Sequence, residues 1–164
     1  MLKILLLGKN GQVGWELQRA LSPLGELRAC DRNEANLDDP ESLRELVRDY
    51  APDIIVNAAA YTAVDKAESD ILSASRVNTR SLAVLAEECK RLNAWLIHYS
   101  TDYVFDGRKN GFYSEEDPTA PLSVYGQTKR DGERAIIASG CRYLVFRTSW
   151  VFASRGGNFA KTML

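Results

Sequence analysis

Short apolar runs alternate with amphipathic stretches along the whole of this 164-residue chain. Lys3–Leu7 (KILLL) is a continuous aliphatic run, the pattern of a strand covered on both faces. Val13–Leu21 follows with apolar residues at helical spacing, and Glu26–Asp31 reads as a second, more weakly patterned strand. Asp39 as N-cap and Pro40 in the first turn open a helix that runs to about Tyr50. Ile54–Ala58 and Ala94–Tyr99 are the third and fourth strands, and an amphipathic helix over 71–91 lies between them. Gly and Pro punctuate a long loop over 102–122, then Val124–Ser139 is helical and Arg142–Thr148 is a fifth strand. No repeat or linker divides the chain. The alternation predicts a doubly wound α/β fold, a parallel sheet with helices on both faces.

Composition narrows the function classes. With 21 basic and 22 acidic residues the net charge is −1, and no block of like charge marks a nucleic-acid or anionic-membrane surface. Apolar runs reach about six residues, far below the roughly 20 that a membrane span needs. The opening MLKILLLGKNG has no small-residue cleavage pattern after it, so it reads as a strand and not as a signal peptide. Cys30, Cys89 and Cys141 are widely spaced and form no CxxC pair, which fits buried, reduced thiols in a cytoplasmic protein.

The first strand runs into Gly8-Lys9-Asn10-Gly11-Gln12-Val13-Gly14, a GxxGxxG spacing. A backbone turning sharply from strand to helix needs residues without a Cβ, and a helix N-terminus favours a pyrophosphate. Such a turn also serves plain βα packing. Asp31, 20 residues after Gly11, stands at the interval suited to the adenosine ribose hydroxyls. Arg32 and Lys9 could each offset a 2′-phosphate, so the choice between NADH and NADPH stays open. Ala58, Ala59 and Ala60 follow the third strand and leave room for a flat ligand, or for tight helix–sheet packing.

Strand four ends in Ser100-Thr101-Asp102-Tyr103, and a later helix opens with Tyr125-Gly126-Gln127-Thr128-Lys129. Residues four apart share a helix face, so Tyr125 and Lys129 can act together. A phenol titrates near about 10, and a neighbouring ammonium is expected to lower that value. Tyr125 could then give a proton to a carbonyl oxygen while hydride reaches the carbon, with the Thr101 hydroxyl on the same oxygen. A Tyr/Lys pair at this spacing is common on exposed helices. It gains weight beside the glycine turn and the hydroxyl-rich end of strand four.

GKNGQVGWELQRAL, VNAAAYTAVDKAE, HYSTDYVFDG, PLSVYGQTK, FRTSWVF and NFAKTML together resemble the extended short-chain dehydrogenase/reductase family, and within it the nucleotide-sugar 4-ketoreductases. The likeness runs almost end to end. It implies a Rossmann-like fold, NADPH or NADH as cofactor, and reduction of a dTDP-linked 4-keto-6-deoxysugar for cell-surface polysaccharide. It makes Tyr125 the proton donor, Lys129 the nicotinamide-ribose ligand and Thr101 the residue that orients the keto oxygen. Asp102 and Trp150 fall on the substrate side. Gly11, Gln12, Val13, Asp31, Ala60, Tyr61, Thr62 and Tyr99 match the family's cofactor contacts, with Gly8, Gly14, Arg32, Ala58 and Ala59 beside them. Asn36 and Leu37 match the adenine side less well, because the segment after Asp31 is short. Val64 and Asp65 border the same region.

The same fold serves a non-catalytic regulatory subunit of methionine adenosyltransferase, against which the intact Thr101/Tyr125/Lys129 set argues. Epimerases and dehydratases that hold NAD tightly share the Tyr and Lys and stay open. Family members are considerably longer, so residues 1–164 are expected to be the NAD(P)-binding domain carrying the catalytic residues. The C-terminal substrate-binding part would then be absent. The chain stops just after a helix capped by Asn158 has begun, and is expected to keep a dinucleotide site but turn substrate over poorly. A homodimer of the longer protein is left open. His98, the sole histidine, reads as a packing imidazole and not as a metal ligand or proton relay, and no metal-ligand spacing occurs. Trp15 and Trp95 read as core or helix-face aromatics.

Overall fold

Five parallel strands lie in the order β2-β1-β3-β4-β5 in the computed structural model, which describes residues 1–164. The strands are β1 (Lys3–Leu7), β2 (Glu26–Cys30), β3 (Ile54–Asn57), β4 (Trp95–Thr101) and β5 (Arg142–Thr148). The main helices are α1 (Gln12–Leu21), α2 (Pro40–Tyr50), α3 (Val64–Ala67), α4 (Ile71–Ser75), α5 (Ser81–Leu92), α6 (Val124–Ser139) and α7 (Phe159–Met163). This is the doubly wound architecture expected, and its order reverses between β1 and β3. Ligands in such sheets bind at that crevice, outside the carboxyl ends of the strands.

Continuous aliphatic burial explains the centre of the sheet. Ile4, Leu5, Leu6 and Leu7 are all buried, alternately facing two apolar clusters on opposite faces. Asp39 caps α2 by accepting the Ser42 N–H at 3.2 Å, and Asn158 caps α7 by accepting the Lys161 N–H at 3.1 Å. Cys30, Cys89 and Cys141 are buried free thiols, and burial pushes Cys89 up to about 12. No helix is long and apolar enough to cross a membrane.

Several boundaries differ from the pattern reading: α1 starts at Gln12, β3 ends at Asn57, and β4 starts at Trp95. β2 stops at Cys30, because Gly8 and Lys9 both donate their N–H groups to the Cys30 carbonyl, and Asp31 leaves the ladder. β4 runs on to Thr101, because its pairing with β5 continues through Thr101 and Thr148. The helix expected over 71–91 is interrupted by a π-helical segment, Arg76–Arg80, of the kind often found at functional sites. Trp15 is the helix-face aromatic expected, whereas Trp95 is neither in the core nor on a helix. Trp15 is 43% exposed on α1 beneath the Arg155 guanidinium, and Trp95, 41% exposed, opens β4.

Glu88 of α5 is fully buried, yet Arg44 and Arg48 of α2 and Arg91 of α5 all reach its carboxylate, at 2.7–2.8 Å. Burial alone would raise its pKa, but the three guanidinia outweigh that and bring it to about 2. Its pKa is therefore depressed on folding, so its stabilisation is full above the ordinary 4.5 and fades as pH falls towards 2. Glu88→Gln should cost about 2–3 kcal/mol at neutral pH, allowing for the half-exposed Arg48 and Arg91. Urea unfolding at neutral pH and at pH below 4.5 checks this, since the variant should lose much of the acid-side decline.

Candidate active site

The turn from β1 into α1 is built from backbone packed on backbone. Gly8 has φ +88°, and a Cβ there would lie 2.8–2.9 Å from the main chain of Ala58 and Ala59. A Cβ at Gly14 would stand 2.0 Å from the Gly8 carbonyl oxygen. Both glycines are thus required by packing. Gly11 differs: a Cβ there would meet only the Gly8 oxygen, at 3.4 Å, and it caps α1 without any side-chain hydrogen bond. The first-turn N–H groups of α1 are left for an anion.

A crevice of about 720 Å³ opens there. Gly8, Gly11, Gln12 and Val13 form its β1–α1 wall, and Asp31, Arg32, Asn36 and Leu37 its far end. Ala58, Ala59, Ala60, Tyr61 and Thr62 form the opposite side. The structure therefore brings together most of the residues expected around a dinucleotide, including Asn36 and Leu37. Gly14, Tyr99, Tyr125, Lys129, Val64 and Asp65 are not in its lining. Gly14 packs under the turn, and the Tyr99 ring lies against Phe146 at 5.8 Å.

At the Asp31 end of the crevice, charges are already paired. Asp31 accepts the Asn33 N–H at 2.9 Å and an Asn10 amide N–H at 3.3 Å, with Lys9 Nζ at 3.7 Å. These contacts, led by Asn33, hold its carboxyl below the usual range. Glu34 takes the Lys9 ammonium and the Asp31 N–H. Pattern reading missed Glu34, though its place three residues after Asp31 is that of a side chain turning back on a loop.

Other missed residues come from distant segments. Asn78, buried within the π-helical segment, accepts the Tyr61 N–H at 2.9 Å and donates to the Tyr61 carbonyl at 3.1 Å. It also donates to Thr128 Oγ1 at 3.2 Å, which ties the crevice wall to α6. Asn158 donates to Gln12 Oε1 at 3.1 Å, and Gln12 donates to the Gly157 carbonyl at 3.4 Å. Val151, Gly156 and Gly157 thereby join the lining. No local spacing signals contacts across some 145 residues.

The second set of residues stands at the carboxyl end of β4. Thr101 ends the strand and accepts the Tyr103 N–H at 3.2 Å, while its hydroxyl donates to Asp102 at 3.2 Å. Ser123 caps α6 by accepting the Gly126 N–H at 3.1 Å, and a Cβ at Gly126 would lie 2.2 Å from the Tyr103 carbonyl oxygen. That contact seats the first turn of α6 on the end of β4, with the Tyr125 ring edge-on to Tyr103 at 5.7 Å. Trp150, 67% exposed, meets Phe159 edge-on at 5.4 Å.

The pKa of Tyr125 is opposite to the expectation. Burial pushes the phenol up, the Thr101 hydroxyl pulls it part of the way back, and Asp102 and Tyr103 add to the rise. Lys129 is not among the groups acting on it, because its amine turns into the sheet. Lys129 Nζ donates to the Tyr99 carbonyl at 2.7 Å and lies 3.0 Å from His98 Nε2. Burial brings Lys129 down to about 7, against a partial pull upward from Glu133. His98 is buried as expected, but among polar partners. No group of three or more His, Cys, Asp or Glu side chains is placed to hold a metal ion.

The geometry can be set beside known proteins. The chain is 54% identical over 163 residues to the dTDP-4-dehydrorhamnose reductase of Burkholderia thailandensis, covering 99% of this chain and 55% of that protein. It is likewise 54% identical over 167 residues to that of Escherichia coli K12, covering 56% of it. A Bacillus anthracis dTDP-4-dehydrorhamnose reductase solved in complex with NADP superposes with a TM-score of 0.94 at 33% identity. There the match covers 99% of this chain and 59% of that one. The chain thus spans a little over half the length of the relatives it matches. The family model described as the RmlD substrate binding domain matches residues 2–164, and the chain belongs to that family.

Proposed function

We propose that residues 1–164 are the cofactor-binding, proton-donating part of a longer cytoplasmic dTDP-4-dehydrorhamnose reductase. That protein would reduce the 4-keto group of its dTDP-linked deoxysugar to give dTDP-L-rhamnose, with NADPH or NADH. The rest of its length would supply most of the substrate-binding surface. The observation that carries this is the placement of Thr101 at the carboxyl end of β4 and of Tyr125 and Lys129 on α6, at the same carboxyl end of the sheet where the crevice opens. Identity near half over the whole chain to reductases of that name supports it.

The residues fit a dinucleotide. Gly11 leaves the α1 N-terminus open to a pyrophosphate, Asp31 and Arg32 stand where an adenosine ribose would lie, and Ala58–Ala60 carry no bulk. The bound nicotinamide would supply hydride. Thr101 and Tyr125 would hold the keto oxygen between two hydroxyls, and Tyr125 would release its proton to it. Burial keeps that proton on the phenol until it is needed. Asp102 and Trp150 flank the substrate side.

In the full-length protein, Tyr125→Phe should reduce kcat by roughly 10²–10⁴-fold while leaving the Kd for NADPH nearly unchanged. Steady-state turnover and cofactor fluorescence titration check the two parts. Normal turnover would sink the assignment. Glu34→Gln should free Lys9 from its carboxylate, and the ratio of NADPH to NADH affinity should rise roughly two- to fivefold. Parallel titrations with the two reduced cofactors, at low and high salt, read that ratio.

A further inference from the structure

Asn57, His98 and Lys129 form a buried row from the end of β3 through β4 to α6, and all three side chains are almost wholly out of water. Asn57 Oδ1 accepts the Ala59 backbone N–H at 3.1 Å. A backbone N–H can only donate, so this contact fixes which way the amide faces. The Asn57 NH₂ group then points at His98 Nδ1, at 3.3 Å. On the other side of the ring, Lys129 Nζ lies 3.0 Å from Nε2.

A neutral imidazole carries one N–H and one lone pair. With the Asn57 NH₂ donating to Nδ1, the lone pair is used there and the proton sits on Nε2. That N–H points at Lys129, and only a neutral amine has a lone pair to receive it. An ammonium would instead need the lone pair on Nε2 and the proton on Nδ1. A contact with the Asn57 backbone favours a proton on the ring. The charges around the row do not decide the matter for Lys129. Glu133, one helical turn on, is taken by the Ser100 hydroxyl and by Arg147 at 2.7 Å. The other close neighbour is the uncharged Tyr99 carbonyl.

We propose that Asn57 and His98 set the charge of Lys129 through the imidazole tautomer. With the proton on Nε2, Lys129 rests as a neutral amine. When Lys129 takes up one proton to become an ammonium, the imidazole proton shifts from Nε2 to Nδ1, and the ring stays neutral in both states. Burial points the same way, lowering Lys129 to about 7 and His98 well below its ordinary value. His98 is thus a positioning residue acting through Lys129. The consequence for Tyr125 rests on the reductase reading: the lysine would be free to change charge near neutral pH, when a ligand arrives. The tautomer itself does not depend on that reading.

The chain has one histidine, so its two ring nitrogens give a single pair of signals in ¹⁵N NMR. Lys129 is followed in the same samples by ¹³Cε labelling, assigned by its loss in Lys129→Met. The expected result is an Nε2-protonated imidazole above the Lys129 midpoint and an Nδ1-protonated one below it. Both changes should share one midpoint near 7, without an imidazolium. Asn57→Leu should lock the ring with Nδ1 protonated and move the Lys129 midpoint upward. An Nδ1-protonated ring at all pH in the unmodified chain would overturn the proposal, as would an imidazolium forming first or two unlinked midpoints. Absence of reductase activity from the full-length protein, with the linked midpoints intact in this chain, would count against the functional reading and leave this one standing.

Discussion

The crevice exists because three stretches of main chain meet at Gly8 with no room for a side chain between them. The backbone leaves β1 there at φ +88°, with the Ala58–Ala59 main chain against it on one side and Gly14 of α1 on the other. A Cβ at either glycine would have to displace main chain, which cannot give way as the tip of a flexible side chain can. The contact sets α1 directly behind the β1–β3 boundary. The N-terminus of that helix, capped only by Gly11, therefore faces the gap between the two strands.

On the β4 side the organising problem is electrostatic. Lys129 and Glu133 are four residues apart on α6 and both buried, a spacing at which a lysine and a glutamate on a surface would pair with each other. Here each is diverted. Glu133 is held by Ser100 and bidentately by Arg147, so its charge is spent within β4 and β5. Lys129 has only a carbonyl and an imidazole within hydrogen-bond reach. A buried cation with no counter-ion beside it is costly, and the cost falls when the group gives up its proton.

How much of this was legible depended on how local each cause was. The five strands, the Asp39 and Asn158 caps and the glycine turn follow from spacings of a few residues, and they stand where pattern placed them to within two residues at the strand ends. The crevice lining from Gly8 to Thr62 was legible for the same reason, since βα turns carry their own glycines and alanines. Asn78 was not, because it acts through the backbone of Tyr61, 17 residues away, from a π-helical turn that resembles an ordinary amphipathic helix in sequence. The shift of Tyr125 was misjudged because i,i+4 spacing places two side chains on one face but does not say where they point. The Lys129 amine turns to the Tyr99 carbonyl, a backbone atom with no signature in sequence.

Two asparagines join the halves of the site. Asn57 holds the Ala59 N–H with one end of its amide and faces His98, and so Lys129, with the other. Asn78 holds both backbone groups of Tyr61 and donates to Thr128, which lies beside Lys129 in α6. Each amide has a backbone partner in the Ala58–Thr62 wall and a side-chain partner towards α6. A buried amide that loses one partner leaves a polar group unsatisfied, so neither can follow one side alone without a penalty of about 1–3 kcal/mol. A ligand that shifts the wall by enough to break those contacts must therefore move His98 or Thr128 with it, or forgo that free energy. The Ala58–Thr62 wall of the crevice and the helix that carries Tyr125 and Lys129 are on that account a single polar unit.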